Sequence, residues 1–362
     1  MNKKIIGFCF AFILGLNPVN ALAITVTDMM QNQVSIDTPP KRAAIATVPI
    51  ASLLISLTDQ PEHLVGVHPF AKETLLDGTL GQYYPQLHTL KTDVIARNFT
   101  PNIEALLALH VDLVVQWGHL NPKLYKRLQA AQIPTITLLY GTEHYSQQWI
   151  TIMGEISGQS DKASHLLTQR KAWIEKLQQQ QQRYQTKPKV LYLSSCKGSR
   201  CFSMSGNSNV QFDIELAGGI NLTQDIHTQQ NTSINMEQII EWDPDIILLG
   251  NFDKNFMPQD IEKNALLSYT TAAKKHQIYK IPQAGFIWDV PSHENPAYWL
   301  WLSAIFHPSA PIKLTTVDLK QMIKQWYGIE LTPQDIKAIL KTDINRYDAR
   351  LQFDPNSYQD KR

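Results

Sequence analysis

Apolar runs of strand length alternate with helical patterns through two stretches of the chain. Residues 42–48 (RAAIATV), 63–67 (HLVGV), 111–117 (VDLVVQW) and 135–140 (TITLLY) are the runs of the first stretch, with helical IASLLISL and NPKLYKRLQAAQ among them. The series resumes at residues 189–195 (KVLYLSS), with DIILLG and QIYKI as further strands. Strands of this kind, alternating with helices, predict an α/β fold with parallel sheets covered on both faces. Between the two series, residues 161–185 contain no Gly or Pro, and Ala163, Leu166, Leu167, Trp173 and Leu177 lie near helical spacing. A helix of that length spans about 38 Å, enough to bridge two lobes. Its glutamine run, residues 178–182, reads as a solvated end.

The two series are copies of one plan. TPNIEALLALHVDLVVQWG (residues 100–118) lies on SINMEQIIEWDPDIILLGN (residues 233–251) without a gap. Thr100 matches Ser233, Asn102 matches Asn235, Glu104 matches Glu237 and Asp112 matches Asp245, each 133 positions apart. Each copy reads as a hydroxyl N-cap, a first-turn glutamate, an apolar helix and an aspartate leading into a buried strand. The expectation is two Rossmann-like lobes, residues 24–157 and 187–308, joined by one long helix over residues 158–186. A tail, residues 309–362, predicts two amphipathic helices packed on the second lobe, with the last ten residues disordered. About 340 mature residues also exceed what one hydrophobic core serves.

The N-terminus says where such a chain would work. MNKK, an apolar IIGFCFAFILGL and NPVNALA, with Ala21 and Ala23 in an A-x-A arrangement, predict a secretory signal over residues 1–23, cleaved after Ala23. The apolar run falls short of the about 20 residues a membrane span needs. Cys9 stands too early for a lipoprotein attachment site; an uncleaved anchor is the other reading. Cleavage removes two of the 33 basic residues and none of the 32 acidic ones, leaving a formal charge of −1. That balance lacks the basic footprint of nucleic-acid binding. Of three cysteines, Cys196 and Cys201 remain, in CKGSRC. In an oxidising compartment they predict a disulfide bracing a tight loop, with two independent thiols as the alternative.

Ligands of α/β sheets bind outside the carboxyl ends of the strands, so two facing lobes should enclose a cleft there. The loops after the strands supply His68, Phe70, Trp117, His119 and Tyr140 from the first lobe, and Ser205 and Asn207 from the second. Arg97, just before the first repeat copy, could face an anionic ligand or be an ordinary surface arginine. Trp117 could equally cap its sheet, and Tyr140 could be core. FIWDVPSHENPAYWLWL (residues 286–302) divides at a helix start near Asn295 and Pro296. Trp288, Asp289, Ser292 and His293 fall before that start and read as a cleft lip, whereas Trp299 and Trp301 read as packing. Aromatic walls with a few polar groups suit a bulky, partly apolar ligand. The histidines could instead converge on a metal. The chain has no G-x-S-x-G elbow, no P-loop and no G-x-G-x-x-G, and Asp289 and Glu294 share one loop. Nothing assembles an enzyme's site, and no resident cofactor is expected.

These features together resemble a known family, the periplasmic substrate-binding proteins of ABC importers for iron–siderophores, haem and cobalamin, the class with a helical backbone between lobes. The resemblance covers about residues 42–308. It rests on IATVPIASLLISL with the following LVGV, NIEALLALHVDLVV, the bridging helix, ELAGGINL (residues 215–222) and NMEQIIEWDPDIILL. WYGIELTPQDIKAIL (residues 326–340) looks like the tail of a longer iron-complex subgroup. One departure is His110-Val111, where Lys-Pro is commoner; Asp243-Pro244-Asp245 keeps the proline. The resemblance implies a monomer in a Gram-negative periplasm that takes an iron chelate as cargo, with haem, cobalamin or a nickel or iron chelate as alternatives. It also implies an inner-membrane ABC permease as partner, docked through Glu104 and Glu237.

Overall fold

The computed structural model describes residues 23–119, 122–227 and 231–347. The expected signal segment apart from Ala23, and the last ten residues, lie outside the described residues. The chain opens with an antiparallel hairpin, β1 (Ile24–Thr27) and β2 (Gln33–Ile36). The first lobe then follows as β3 (Ala43–Ile45), α1 (Ile50–Thr58), β4 (Leu64–Val67), α2 (Pro69–Asp77), α3 (Thr79–Tyr83), α4 (Ile103–Ala108), β5 (Leu113–Trp117), α5 (Pro122–Ala130), β6 (Thr135–Leu138) and α6 (Glu143–Ile156). Its four strands pair in the order β4-β3-β5-β6, all parallel. Alternation explains the layers: Leu113 and Val115 join the core under α1 and α6, and Val114 joins the one under α4 and α5.

One helix, α7 (Ser160–Gln181), links the lobes; its 22 residues span about 33 Å. The second lobe comprises β7 (Lys189–Leu193), β8 (Ser195–Lys197), β9 (Arg200–Met204), α8 (Asn209–Leu216), β10 (Ile220–Asn221), β11 (Asn231–Asn235), α9 (Met236–Trp242), β12 (Ile246–Leu249), α10 (Pro258–Glu262), α11 (Thr271–Lys274), β13 (Ile278–Lys280) and α12 (Asn295–Phe306). Its main sheet, β10-β7-β12-β13, is again parallel, and Val190 and Tyr192 face the side opposite Leu191 and Leu193. A smaller antiparallel sheet, β11-β9-β8, is added. There Cys196 and Cys201 stand directly opposite each other, and a disulfide joins them across a Cα separation of 4.0 Å. Gly198 takes the left-handed conformation that the intervening turn requires (φ 60°).

The repeat holds down to individual hydrogen bonds. Asp112 accepts from the backbone N of Lys41 and Arg42, and Asp245 from that of Lys189, so each aspartate ties its strand to the lobe's first strand. His110 (φ 49°) and Asp243 (φ 45°), again 133 apart, both take the left-handed conformation after the helix. The helix caps differ from the sequence expectation. Asn102 accepts from Ala105 N (3.3 Å) and Asn235 from Gln238 N (2.7 Å), because the N-cap positions fall two residues beyond Thr100 and Ser233.

The tail forms the two expected helices, α13 (Thr316–Tyr327) and α14 (Pro333–Leu340), but they do not rest on the second lobe alone. Tyr84 OH donates to Tyr327 O (2.5 Å) and Tyr83 OH to Asp335 Oδ2 (2.7 Å), both from the first lobe. Gln283 N donates to Ile339 O (3.1 Å), and Lys280 exchanges two backbone bonds with the Asn345 side chain. The tail therefore spans the lobes as a second tie beside α7.

Candidate functional site: the lobe junction

The carboxyl ends of the two sheets meet between the lobes. On the first-lobe side β5 ends in Trp117, whose ring stands edge-on to Tyr140 (5.7 Å) and 5.6 Å from Trp149. Trp149 is fixed in turn by donation from its Nε1 to Leu139 O (2.9 Å). Tyr140 remains 37% exposed at this edge.

The second-lobe side is built from polar groups. Tyr192, at the end of β7, donates its hydroxyl to Asp289 Oδ2 (3.1 Å). Asn251 adds its backbone N (2.9 Å) and Nδ2 (2.8 Å) to the same carboxylate. Gly250 has to be glycine here: a Cβ would lie 2.3 Å from the Tyr192 hydroxyl. Deeper in, Asp213 of α8 accepts from Trp299 Nε1 (2.5 Å). Burial pushes the Asp213 carboxyl up to about 8, the Trp299 hydrogen bond opposing, Glu143 adding and Arg170 opposing. The Tyr298 hydroxyl is fully buried and has no hydrogen-bond partner among the described residues, a cost of about 1–3 kcal/mol. Burial raises the phenol of Tyr298, and Asp213 and Asp289 raise it further.

Arg170, in the middle of α7, holds this floor together. Its Nε and Nη2 each donate to the Glu143 carboxylate at 2.6 Å, Nη1 donates to Ser292 O (2.8 Å) and Nη2 to Asn295 Oδ1 (3.2 Å). The guanidinium also lies over the Trp299 ring at 4.7 Å and is 1% exposed.

The expected ligand residues divide between the junction, the interior and the outer surface. Trp117 and Tyr140 are at the junction, and Phe70 stacks on Phe252 of the other lobe at 5.4 Å. Asn207 is exposed and Ser205 buried on the loop that enters α8. Asp289 is buried and accepts three hydrogen bonds, from Tyr192 and twice from Asn251. His119 is exposed, 6.1 Å from Trp117. His68 caps α2: its Nδ1 accepts from Phe70 N and its Nε2 bonds Arg97 O, which leaves neither nitrogen for a metal. The Arg97 side chain is 77% exposed and paired with Glu73. Trp288, Ser292 and His293 correct the expectation of a lip. Trp288 is fully buried and donates to Glu294 Oε2 (2.9 Å), and His293 Nε2 lies 2.9 Å from the Tyr327 hydroxyl. The tail helix α13 covers this loop, which a reading of the loop alone could not show. Trp299 and Trp301 are buried, as expected of packing residues. Glu104 and Glu237 are both exposed in the first turns of α4 and α9.

Sequence reasoning missed Tyr192, Asp213 and Tyr298. Asp213 carried a signal: it shares the buried helical face of Val210, Ile214 and Ala217, where an aspartate is out of place. A separate hollow of about 520 Å³ at the C-terminal end of α7, lined by Arg183, Tyr184 and His307 among others, shares no residue with the junction. Among the described residues no three His, Cys, Asp or Glu gather into a metal-ligand group, and no helix is long and apolar enough to cross a membrane.

Comparison with known proteins places this geometry in context. The family model described as periplasmic binding protein matches residues 54–284. A crystal structure of a periplasmic solute binding protein from Veillonella parvula is 31% identical, with a TM-score of 0.82 over 89% of this chain and 98% of that one. The molybdate periplasmic binding protein MolA of Haemophilus influenzae, bound to molybdate, is 19% identical at TM-score 0.72, covering 85% and 99%. CeuE of Helicobacter pylori with Ni(II) bound is 16% identical at TM-score 0.65, covering 91% and 98%. No curated protein sequence matched.

Proposed function

The chain belongs to the periplasmic binding proteins, solute-binding components of ABC importers, and from that premise we propose that it captures a ferric siderophore or related metal chelate. The cargo would sit between the lobes, and the loaded monomer would hand it to an inner-membrane permease. One observation carries the reading: the carboxyl end of β5 carries an aromatic edge, with Trp117 packed against Tyr140 and Trp149 and Tyr140 left 37% exposed. Aromatic faces with a few polar groups bind a bulky, partly apolar ligand without a covalent step. Nickel held by protein histidines loses support, since His68 and His293 are engaged within the protein. The two ties between lobes favour a cleft that changes little on binding. Residues 1–23 would direct export and be cleaved from the mature chain.

Trp117 provides the test of capture. Ferric hydroxamates and catecholates, haemin, cobalamin and nickel would be titrated against tryptophan fluorescence. A ferric chelate should quench at micromolar concentration, and Trp117→Ala should weaken it at least about tenfold. Delivery is tested by reversing both exposed glutamates. Glu104→Arg with Glu237→Arg should leave cargo affinity unchanged and abolish uptake; normal uptake would exclude the docking role.

A further inference from the structure

The hollow at the C-terminal end of α7 is a second concave site, away from the junction. Its volume, about 520 Å³, falls within the roughly 300–1,000 Å³ of small-molecule sites. One wall is the last turns of α7; the other is residues 307–312, which lead from α12 toward α13. Hydrogen bonds fix the spacing of the two walls. Gln180 Nε2 donates to Ile312 O (2.8 Å), and Gln180 Oε1 accepts from Ile312 N (2.8 Å). Gln180 Nε2 also donates to Ser303 Oγ of α12 (3.0 Å). Within the loop, Ala310 N donates to His307 O (2.8 Å) and Lys313 Nζ to Pro308 O (2.5 Å), so its shape is set as well. The Tyr184 and His307 rings stack at 3.5 Å, and Phe306, Pro308 and Pro311 add apolar surface.

The charge of this hollow has one sign. Lys176 and Arg183 line it, and no Asp or Glu does. Both cations are exposed, and neither pairs with a carboxylate among the described residues. Lys176 Nζ stands 4.5 Å from the centre of the Trp173 ring, a contact that leaves its charge uncancelled. The carboxyl end of α7 brings about half a negative charge, which two full cations outweigh. We propose that the hollow binds a small organic anion, its carboxylate held by Lys176 and Arg183 and its apolar, ring-bearing body against Phe306, Pro308 and Pro311. An arginine fork suits a carboxylate, and the prolines and aromatic rings suit a flat apolar body. The site is independent of the cargo reading, since it shares no residue with the junction. A ligand there touches both α7 and the loop that leads into the tail, so it should raise the melting temperature.

Three probes of one shape and different charge test this: naphthoate, neutral naphthalenemethanol and cationic naphthylmethylamine. Each is titrated by calorimetry at pH 7 into the wild type, Lys176→Glu with Arg183→Glu, Ser309→Trp, and Trp117→Ala. Lys176, Arg183 and Ser309 are exposed, so the fold should persist in the hollow variants, which melting curves check. Naphthoate should bind at least about tenfold tighter than the alcohol, and the amine weakest of the three. Charge reversal should abolish that preference. Ser309→Trp, which sets an indole at the hollow's wall, should weaken naphthoate at least about tenfold, whereas Trp117→Ala should change it by less than about twofold. Equal binding of naphthoate and the alcohol, naphthoate affinity unchanged in either hollow variant, or no binding of naphthoate overturns the inference. Loss of binding in Trp117→Ala alone would put the probe at the junction and overturn it too. All of these outcomes leave the chelate reading standing, because that reading is tested with ferric chelates.

Discussion

The lobes follow one plan up to the last residue of the repeated strand and then part. Trp117 ends β5, and the residue 133 positions on, Gly250, follows β12. Trp117 fills its place with an indole packed on Tyr140 and Trp149. At Gly250 the same space holds the Tyr192 hydroxyl and Asp289, so no side chain fits. One edge thus became an aromatic wall and the other a hydrogen-bonded floor on the same backbone. What the copies share, from Asn102 and Asn235 to Asp112 and Asp245, builds the lobes. Where they differ, they build the site.

Breaking the tie between the two edges should have the largest effect. Arg170→Met leaves the half-buried Glu143 without its partner and removes the bonds of the buried guanidinium to Ser292 and Asn295, and a loss of about 3–5 kcal/mol is expected in chemical denaturation. A loss under about 1 kcal/mol would mean the lobes are held by other contacts.

Asp213→Asn should shift stability in the opposite direction. The folded carboxyl keeps its proton up to about pH 8, whereas an unfolded aspartate loses it near about pH 4. The stability it contributes is therefore full below the lower value and is lost as pH rises through the upper one. Asparagine does not titrate, so the variant's melting temperature should gain on the wild type across that window and match it in acid. A constant offset at every pH would show that the carboxyl is not buried as a neutral acid.

Making the floor resemble the wall should come next. Gly250→Ala sets a methyl against Tyr192 and Asp289, an overpacking of about 1–3 kcal/mol, and should also weaken cargo binding. The smallest changes sharpen the likeness instead. Asn102→Ala and Asn235→Ala should each cost about 1 kcal/mol and do so equally, since both remove one N-cap bond. Unequal losses would argue that the two helices are not equivalent supports.

How much of this was readable beforehand follows from the range of the interactions. The parallel strands, the long helix and the repeat were legible because their periodicity is local to each element. The disulfide was legible because Cys196 and Cys201 are five residues apart. The hairpin β1–β2 was not: it has four residues a side and is positioned by Asp28, which hydrogen-bonds Thr137 of β6. The loop of residues 286–293 looked like a lip because its composition is aromatic and polar; Tyr327, far along the chain, makes it interior. Asp213 was passed over because its role depends on Trp299 and Tyr298 approaching from another helix.

Mass spectrometry and absorption spectroscopy of the protein purified natively from its host's periplasm would test the cargo reading most directly. We predict a bound ferric chelate, seen as its intact mass and as a visible charge-transfer band lost on denaturation. A protein that emerges empty and whose tryptophan fluorescence is not quenched at micromolar concentration by ferric chelates, haemin, cobalamin or nickel would contradict it.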